Sequence, residues 1–138
     1  MPDRRAVRLD WTGEGLRFRG GGTDPKTPAI EIDGSSEKGP SPMLVLLLSV
    51  AACTGADVVV ILEKMRAGLE SLSVEVEGLR RDQHPKRYQS VAVRFSMSGA
   101  AIDRPKAERA VRLSLDKYCS VLHSLDPAID VVHTIAFT

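Results

Sequence analysis

From Ser41 to Gly68 the chain reads Ser-Pro-Met-Leu-Val-Leu-Leu-Leu-Ser-Val-Ala-Ala-Cys-Thr-Gly-Ala-Asp-Val-Val-Val-Ile-Leu-Glu-Lys-Met-Arg-Ala-Gly, and few folds can accommodate such a run. Ser41 is a good N-cap, and Pro42 suits a first helical turn, where its missing N–H costs nothing. Gly68 can close the far end in a left-handed conformation. One helix over 41–68 is expected, about 40 Å long at the usual rise per residue. Between Met43 and Leu62 the only polar positions are Ser49, Thr54 and Asp57. A helix apolar on nearly every side has to be enclosed by protein or by lipid.

A window of ~20 apolar residues matches the span of a bilayer core. Asp57 lies inside that window, where a carboxylate costs about 2.5–3.5 kcal/mol at a helix centre. The entry side carries neither an aromatic belt nor a basic flank. Enclosure by protein is therefore expected, with no membrane partner. A small domain buries only a limited fraction of its surface, too little to cover so long an apolar helix alone. The expectation is a homodimer in which both sheets wrap the long helices of two chains.

The chain has 138 residues, the length of one domain, and its 19 Lys and Arg against 18 Asp and Glu leave a net charge of +1. That balance gives no electrostatic footprint for nucleic acid. An aromatic content of 4% also removes the stacking platforms used to hold single strands. The N-terminal Met-Pro-Asp-Arg-Arg is followed by no apolar segment able to act as a signal peptide, so a cytoplasmic location is expected. In a reducing compartment, Cys53 and Cys119 are more readily read as reactive, metal-binding or simply buried than as a permanent staple.

Around the helix the pattern is that of strands. Ala6–Trp11 and Leu16–Arg19 alternate on either side of Thr12-Gly-Glu-Gly15, a hairpin signature. Arg17 and Arg19 share one face of the second strand and Leu16 and Phe18 the other. Gly20 to Pro28 reads as a loop, Ala29–Asp33 as a short third strand, and Gly34 to Pro40 as a loop feeding the helix. Beyond Gly68, Leu72–Leu79 alternates with Leu72, Val74 and Val76 on its apolar face. A charged turn over 80–87 separates it from an antiparallel partner, Tyr88–Met97, with Val91, Val93, Phe95 and Met97 in phase. Asp103 and Pro105 open a second, amphipathic helix whose stripe is Ala107, Ala110, Val111, Ser114, Leu115, Tyr118 and Leu122, with Cys119 near its edge. After Pro127, Ile129–Phe137 is a last strand. The order β-β-β-α-β-β-α-β describes one α+β domain over 1–138 with mainly antiparallel pairing. It comprises an N-terminal hairpin and loop (1–40), the central helix (41–68) and a β-β-α-β portion (69–138).

Three segments together resemble the OsmC/Ohr family. Gly39-Pro-Ser-Pro-Met-Leu-Val-Leu-Leu-Leu-Ser-Val-Ala-Ala-Cys-Thr-Gly-Ala-Asp-Val-Val is similar to that family's long central helix. Asp116-Lys-Tyr-Cys-Ser-Val is similar to its second cysteine segment, and Trp11-Thr-Gly-Glu-Gly-Leu-Arg-Phe to its opening hairpin. The resemblance covers nearly the whole chain. It implies an intertwined homodimer with cofactor-free, thiol-dependent peroxidase activity towards organic hydroperoxides and hydrogen peroxide, the disulfide being reduced by an external thiol. By that likeness Cys53 is the thiol that attacks peroxide and Cys119 the one that resolves the sulfenic acid as a disulfide. An isolated thiol, with a pKa near ~8.5, is only slightly ionised at neutral pH, so a cation is needed beside it. The resemblance assigns this role to Arg17, with Arg19 its neighbour on the same face.

One departure stands out. Peroxidases of that family carry a glutamate just after the proline of the long helix, where this chain has Met43 and Leu44. Asp57, one turn beyond Cys53, or Glu14 in the hairpin then takes its place, or the guanidinium is unanchored. Asp57 can equally be a structural group, because a buried carboxylate needs a partner. Without the family, Cys53 reads as a small buried hydrophobe, and Arg17 and Arg19 as a solvated strand face. Cys119 and His123 share a helical face but lack third and fourth ligands, so no metal is expected. His84 and His133 read as surface loop and strand. A rival function, favoured by the missing glutamate, is a non-catalytic dimeric binding protein holding a small hydrophobic ligand.

Overall fold

A computed structural model describes residues 2–138. They form two compact units, the first ending at Leu46 and the second running from Leu47 to Thr138. The first holds an antiparallel sheet of β1 (Val7–Trp11), β2 (Arg17–Gly22) and β3 (Ile30–Asp33), in that order. The hairpin expected around Thr12-Gly-Glu-Gly15 is present. Gly13 and Gly15 take φ of +93° and +50°, and the Trp11 indole N–H donates to the Gly15 carbonyl at 3.0 Å. The expected loop from Gly20 is not: Gly20, Gly21 and Gly22 continue β2 opposite Leu9, Arg8 and Val7. A Cβ on Gly20 would stand 2.5 Å from the Arg8 carbonyl oxygen, so close backbone approach accounts for glycine there. Buried Asp33 then ties down the loop towards the helix, accepting from the N–H groups of Ser35 (2.8 Å) and Lys38 (3.0 Å).

α1 (Pro42–Lys64) begins in the first unit and runs on into the second. The Ser41 hydroxyl accepts from Leu44 N–H at 3.4 Å, as its capping role requires. At the other end the expectation needs correcting, because Arg66 and not Gly68 closes the helix. With φ +56°, Arg66 donates its N–H to Glu63, and Ala67 donates to Leu62. This is the paired bonding of a left-handed helix stop. Gly68, at φ +65°, instead leads into the next strand.

The second unit's sheet has the order β4 (Leu69–Arg80), β5 (Tyr88–Gly99), β6 (Asp130–Phe137). β4 and β5 are antiparallel, and β6 is parallel to β5. A parallel partner needs a crossover, which here is the helical segment between β5 and β6. Val91, Val93, Phe95 and Met97 are buried as their phase requires, together with Val50, Val58 and Leu62 of α1. Glycine leaves room at two places, between α1 and β4 and between the paired strands β4 and β5. A Cβ on Gly55 of α1 would touch Val74 at 3.5 Å, while one on Gly78 would stand 2.5 Å from the Tyr88 ring.

The second helical segment also differs from expectation. Asp103 caps α2 (Arg104–Leu113) by accepting from Lys106 N–H at 2.9 Å. The helix then widens into a π-turn over Ser114–Tyr118 and resumes as the single-turn α3 (Ser120–His123). Within this one chain, α1 is enclosed along the row Leu47, Val50, Thr54, Val58 and Leu62. Leu48 and Val60 are 56% and 48% exposed. By length and mean hydropathy (2.4) the helix would also suffice to cross a bilayer.

Candidate active site

The second unit brings Cys53 and Cys119 together, both as free thiols. Cys53 is partly exposed and Cys119 is fully buried. Cys53 owes its place to α1, where it borders the enclosed row at Thr54. Cys119 owes its place to the π-turn. An unbroken α-helix would put Tyr118 on the buried stripe of Ala107, Ala110, Val111 and Ser114. Instead, the Cys119 N–H donates to the Ser114 carbonyl, five residues back, at 2.7 Å. The wider turn delays the chain by one position, so Cys119 enters the core and Tyr118 is left 49% exposed. Single π-turns of this kind recur at functional sites.

Cys119 is also the N-cap of α3, its Sγ accepting from Leu122 N–H at 3.4 Å. Its own pKa is pushed up to about 11. Burial is the main cause, and the Leu122 N–H acts in the opposite sense. A hydrogen bond and charge interaction with Cys53 and the charge of Asp57 raise it further. The pair is asymmetric: a reachable sulfur faces a buried thiol that keeps its proton.

Asp57 finds its partner in the same place. The Ser114 hydroxyl donates to Asp57 Oδ2 at 2.8 Å, and Thr54 Oγ1 lies 2.7 Å from Ser114 Oγ. A hydroxyl has one hydrogen to give, and Ser114 spends its own on Asp57, so Thr54 donates to Ser114. Thr54 and Ser114 are fully buried. The sequence pattern marks neither of them as functional. The available signal was the presence of Thr54 and Asp57 in an otherwise apolar helix, since buried polar groups are nearly always bonded.

The remaining candidates lie in the first unit. Arg17 pairs with Glu14 at 3.1 Å, and Arg19 with Glu31 at 3.7 Å. Opposite Arg17 on β3 is Asp33, whose carboxyl is held below its ordinary pKa chiefly by the Ser35 and Lys38 N–H groups, with a smaller contribution from Arg17. Back in the second unit, His123 bonds the Leu115 carbonyl at 3.1 Å. Among the described residues no cluster of three or more His, Cys, Asp or Glu side chains forms a metal site. His133, read as an ordinary strand residue, is paired with Glu108 at 3.2 Å. An open cavity of about 460 Å³ beside Asp57 is lined by Val60, Ile61, Met65, Leu113 and Tyr118, with Lys64 and Arg109. A larger one, about 630 Å³, lies by His123 and His133 and holds neither thiol.

Comparison with known proteins gives one consistent result. The family model described as OsmC-like protein matches residues 34–134. Protein YhfA of Escherichia coli K12 is 34% identical over 129 residues, covering 93% of this chain and 94% of the relative. The crystal structure of a hypothetical protein from Aquifex aeolicus VF5 is similar over 99% of both chains, with 29% identity and a TM-score of 0.83. The organic hydroperoxide resistance protein OhrB of Bacillus subtilis shares the fold over 96% of this chain and 98% of its own, with 14% identity and a TM-score of 0.61.

Proposed function

Since the chain belongs to the OsmC-like protein family, we propose that it is a thiol-dependent peroxidase reducing organic hydroperoxides or hydrogen peroxide through Cys53 and Cys119. The observation that carries this reading is the unequal thiol pair, one sulfur reachable and the other buried beside it and protonated. Shared fold with proteins named for organic hydroperoxide resistance supports it. In the first step the Cys53 thiolate attacks the nearer peroxide oxygen and the O–O bond breaks. The sulfur is oxidised to a sulfenic acid, and the leaving alkoxide takes a proton to become an alcohol. Next, Cys119 sulfur attacks Cys53 sulfur and the S–OH bond breaks. The Cys119 proton leaves with the hydroxide as water. An external thiol or dithiol then reduces the disulfide by exchange.

Arg17 is assigned to keep the first thiol ionised, its own partner being Glu14. No cofactor takes part. The protein acts in the cytoplasm as a homodimer, in which the open row of α1 that includes Leu48 and Val60 is covered by a second copy. Cys53→Ser is expected to abolish hydroperoxide consumption. Cys119→Ser should allow one turnover and then accumulate sulfinic acid. Wild-type turnover in both variants would end the proposal. The cavity beside Asp57, with its largely apolar lining, favours a second reading, a non-catalytic holder of a small hydrophobic ligand. Thiol titration after one equivalent of hydroperoxide separates the two, since the enzyme loses two thiols per chain and the holder none.

A further inference from the structure

We propose that Asp57 is a positioning residue for disulfide closure: through the Ser114 hydroxyl it holds the π-turn that presents Cys119 to Cys53. The inference rests on the peroxidase reading for its biological sense, but its geometry stands on its own. Two segments are bridged twice. Cys53 and Asp57 lie one helical turn apart on α1, and Ser114 starts the π-turn that leads to Cys119. One bridge joins the two sulfurs. The other joins Ser114 to Asp57 at 2.8 Å, with Thr54 completing it at 2.7 Å.

Ser114 does two things at once. Its carbonyl accepts the Cys119 N–H that defines the wide turn, at 2.7 Å, while its hydroxyl is anchored to α1. A π-turn is rare because the ordinary helical closure is locally preferred, so something outside the segment has to favour it. The Asp57 side chain is that agent, since its oxygen accepts the Ser114 hydroxyl and so ties the first residue of the turn to α1. If the anchor is lost, the segment is free to relax towards a regular helix, which puts Tyr118 where Cys119 now sits. Cys119 then points away from the sulfur it must reach.

The chemical consequence falls on one step. Closure needs Cys119 Sγ to attack Cys53 sulfur while the S–OH bond breaks and the thiol proton leaves as part of water. A Cys119 that is seldom in place leaves the sulfenic acid to a second hydroperoxide molecule. That molecule transfers an oxygen to the sulfur, giving sulfinic acid on Cys53 and one more alcohol. Peroxide attack itself does not use the turn.

The test compares Ser114→Ala and Asp57→Ala with Asp57→Asn, which retains an oxygen able to accept from Ser114. The wild-type chain and each variant are oxidised by cumene hydroperoxide in one arm and by diamide in the other. Diamide adds to Cys53 as a sulfenyl hydrazide, and Cys119 attack then displaces the hydrazine, so closure is read without peroxide chemistry. Quenched samples are mapped by mass spectrometry. In both arms Ser114→Ala and Asp57→Ala are expected to slow Cys53–Cys119 closure about tenfold, the scale of one lost buried hydrogen bond. In the peroxide arm they should also accumulate Cys53 sulfinic acid, with the loss of the first thiol unchanged. Asp57→Asn should restore most of the closure rate. Wild-type closure in both alanine variants overturns the positioning role. Equal slowing in Asp57→Asn and Asp57→Ala also overturns it, because charge and not the anchor would then be at work. Should an alanine variant not fold, Asp57→Leu, which fills similar space without an acceptor, replaces it, and wild-type closure in that variant counts against the proposal. A wild-type chain that closes with diamide but ignores hydroperoxide ends the peroxidase reading and leaves the positioning result standing.

Discussion

Folding should protect Cys119 from alkylation to an extent set by the geometry of its turn. Its pKa stands at about 11 against an ordinary 9.0, mainly through burial. At any pH below both values, that gap leaves the folded chain with about a hundredfold less Cys119 thiolate than the denatured one. A side chain with no exposed surface must also wait for a local opening before reagent can reach it, which makes that factor a lower bound. The assay is pulse labelling with iodoacetamide at about pH 7.5, in buffer and in guanidinium chloride, followed by peptide mapping of the Cys119 fragment. Its folded-state labelling should rise about tenfold per pH unit up to about pH 10, well past the point where the denatured residue levels off. Linkage gives the matching stability effect. The unfolded thiol ionises first, so the contribution of Cys119 is intact below about pH 9 and is lost as pH rises through about 11. Folded labelling within about threefold of the denatured rate, or levelling off below about pH 9, would refute the account of how the turn buries this residue.

Other substitutions test the frame. Gly78→Ala places a methyl group 2.5 Å from the Tyr88 ring and should destabilise the chain by about 1–3 kcal/mol in urea unfolding. Arg66→Gly relieves the left-handed residue that ends α1. It should stabilise by about 1 kcal/mol, seen as a higher urea midpoint at unchanged slope. Asp103→Ala removes the cap from α2, for a loss of about 1 kcal/mol and a melting temperature lower by a few degrees.

Much of this architecture was legible because it follows from periodicity. Val91, Val93, Phe95 and Met97 had to share a face, and all four are buried. Asp103 and Pro105 announced a helix start that is found where expected. What escaped depends on tertiary relations. Gly20 to Gly22 looked like a loop because nothing local shows that a neighbouring strand needs their missing side chains. Gly68 looked like the end of α1 because glycine is the commonest residue there, yet the chain turns at Arg66. The π-turn leaves no mark on apolar spacing, since Ser114 and Tyr118 fit a regular helix well. Only the contact between Ser114 and Asp57 on a distant helix distinguishes the two arrangements. The thiol pair came from resemblance to a family and not from spacing, while its hydroxyl and carboxylate support could be read only from coordinates.

The most direct measurement is the mass of the intact chain after one equivalent of organic hydroperoxide, with the cysteine peptides mapped before and after reduction. The account predicts a loss of about 2 Da per chain, with Cys53 and Cys119 recovered as a single linked peptide that separates on reduction. An unchanged mass with both thiols still free would contradict it.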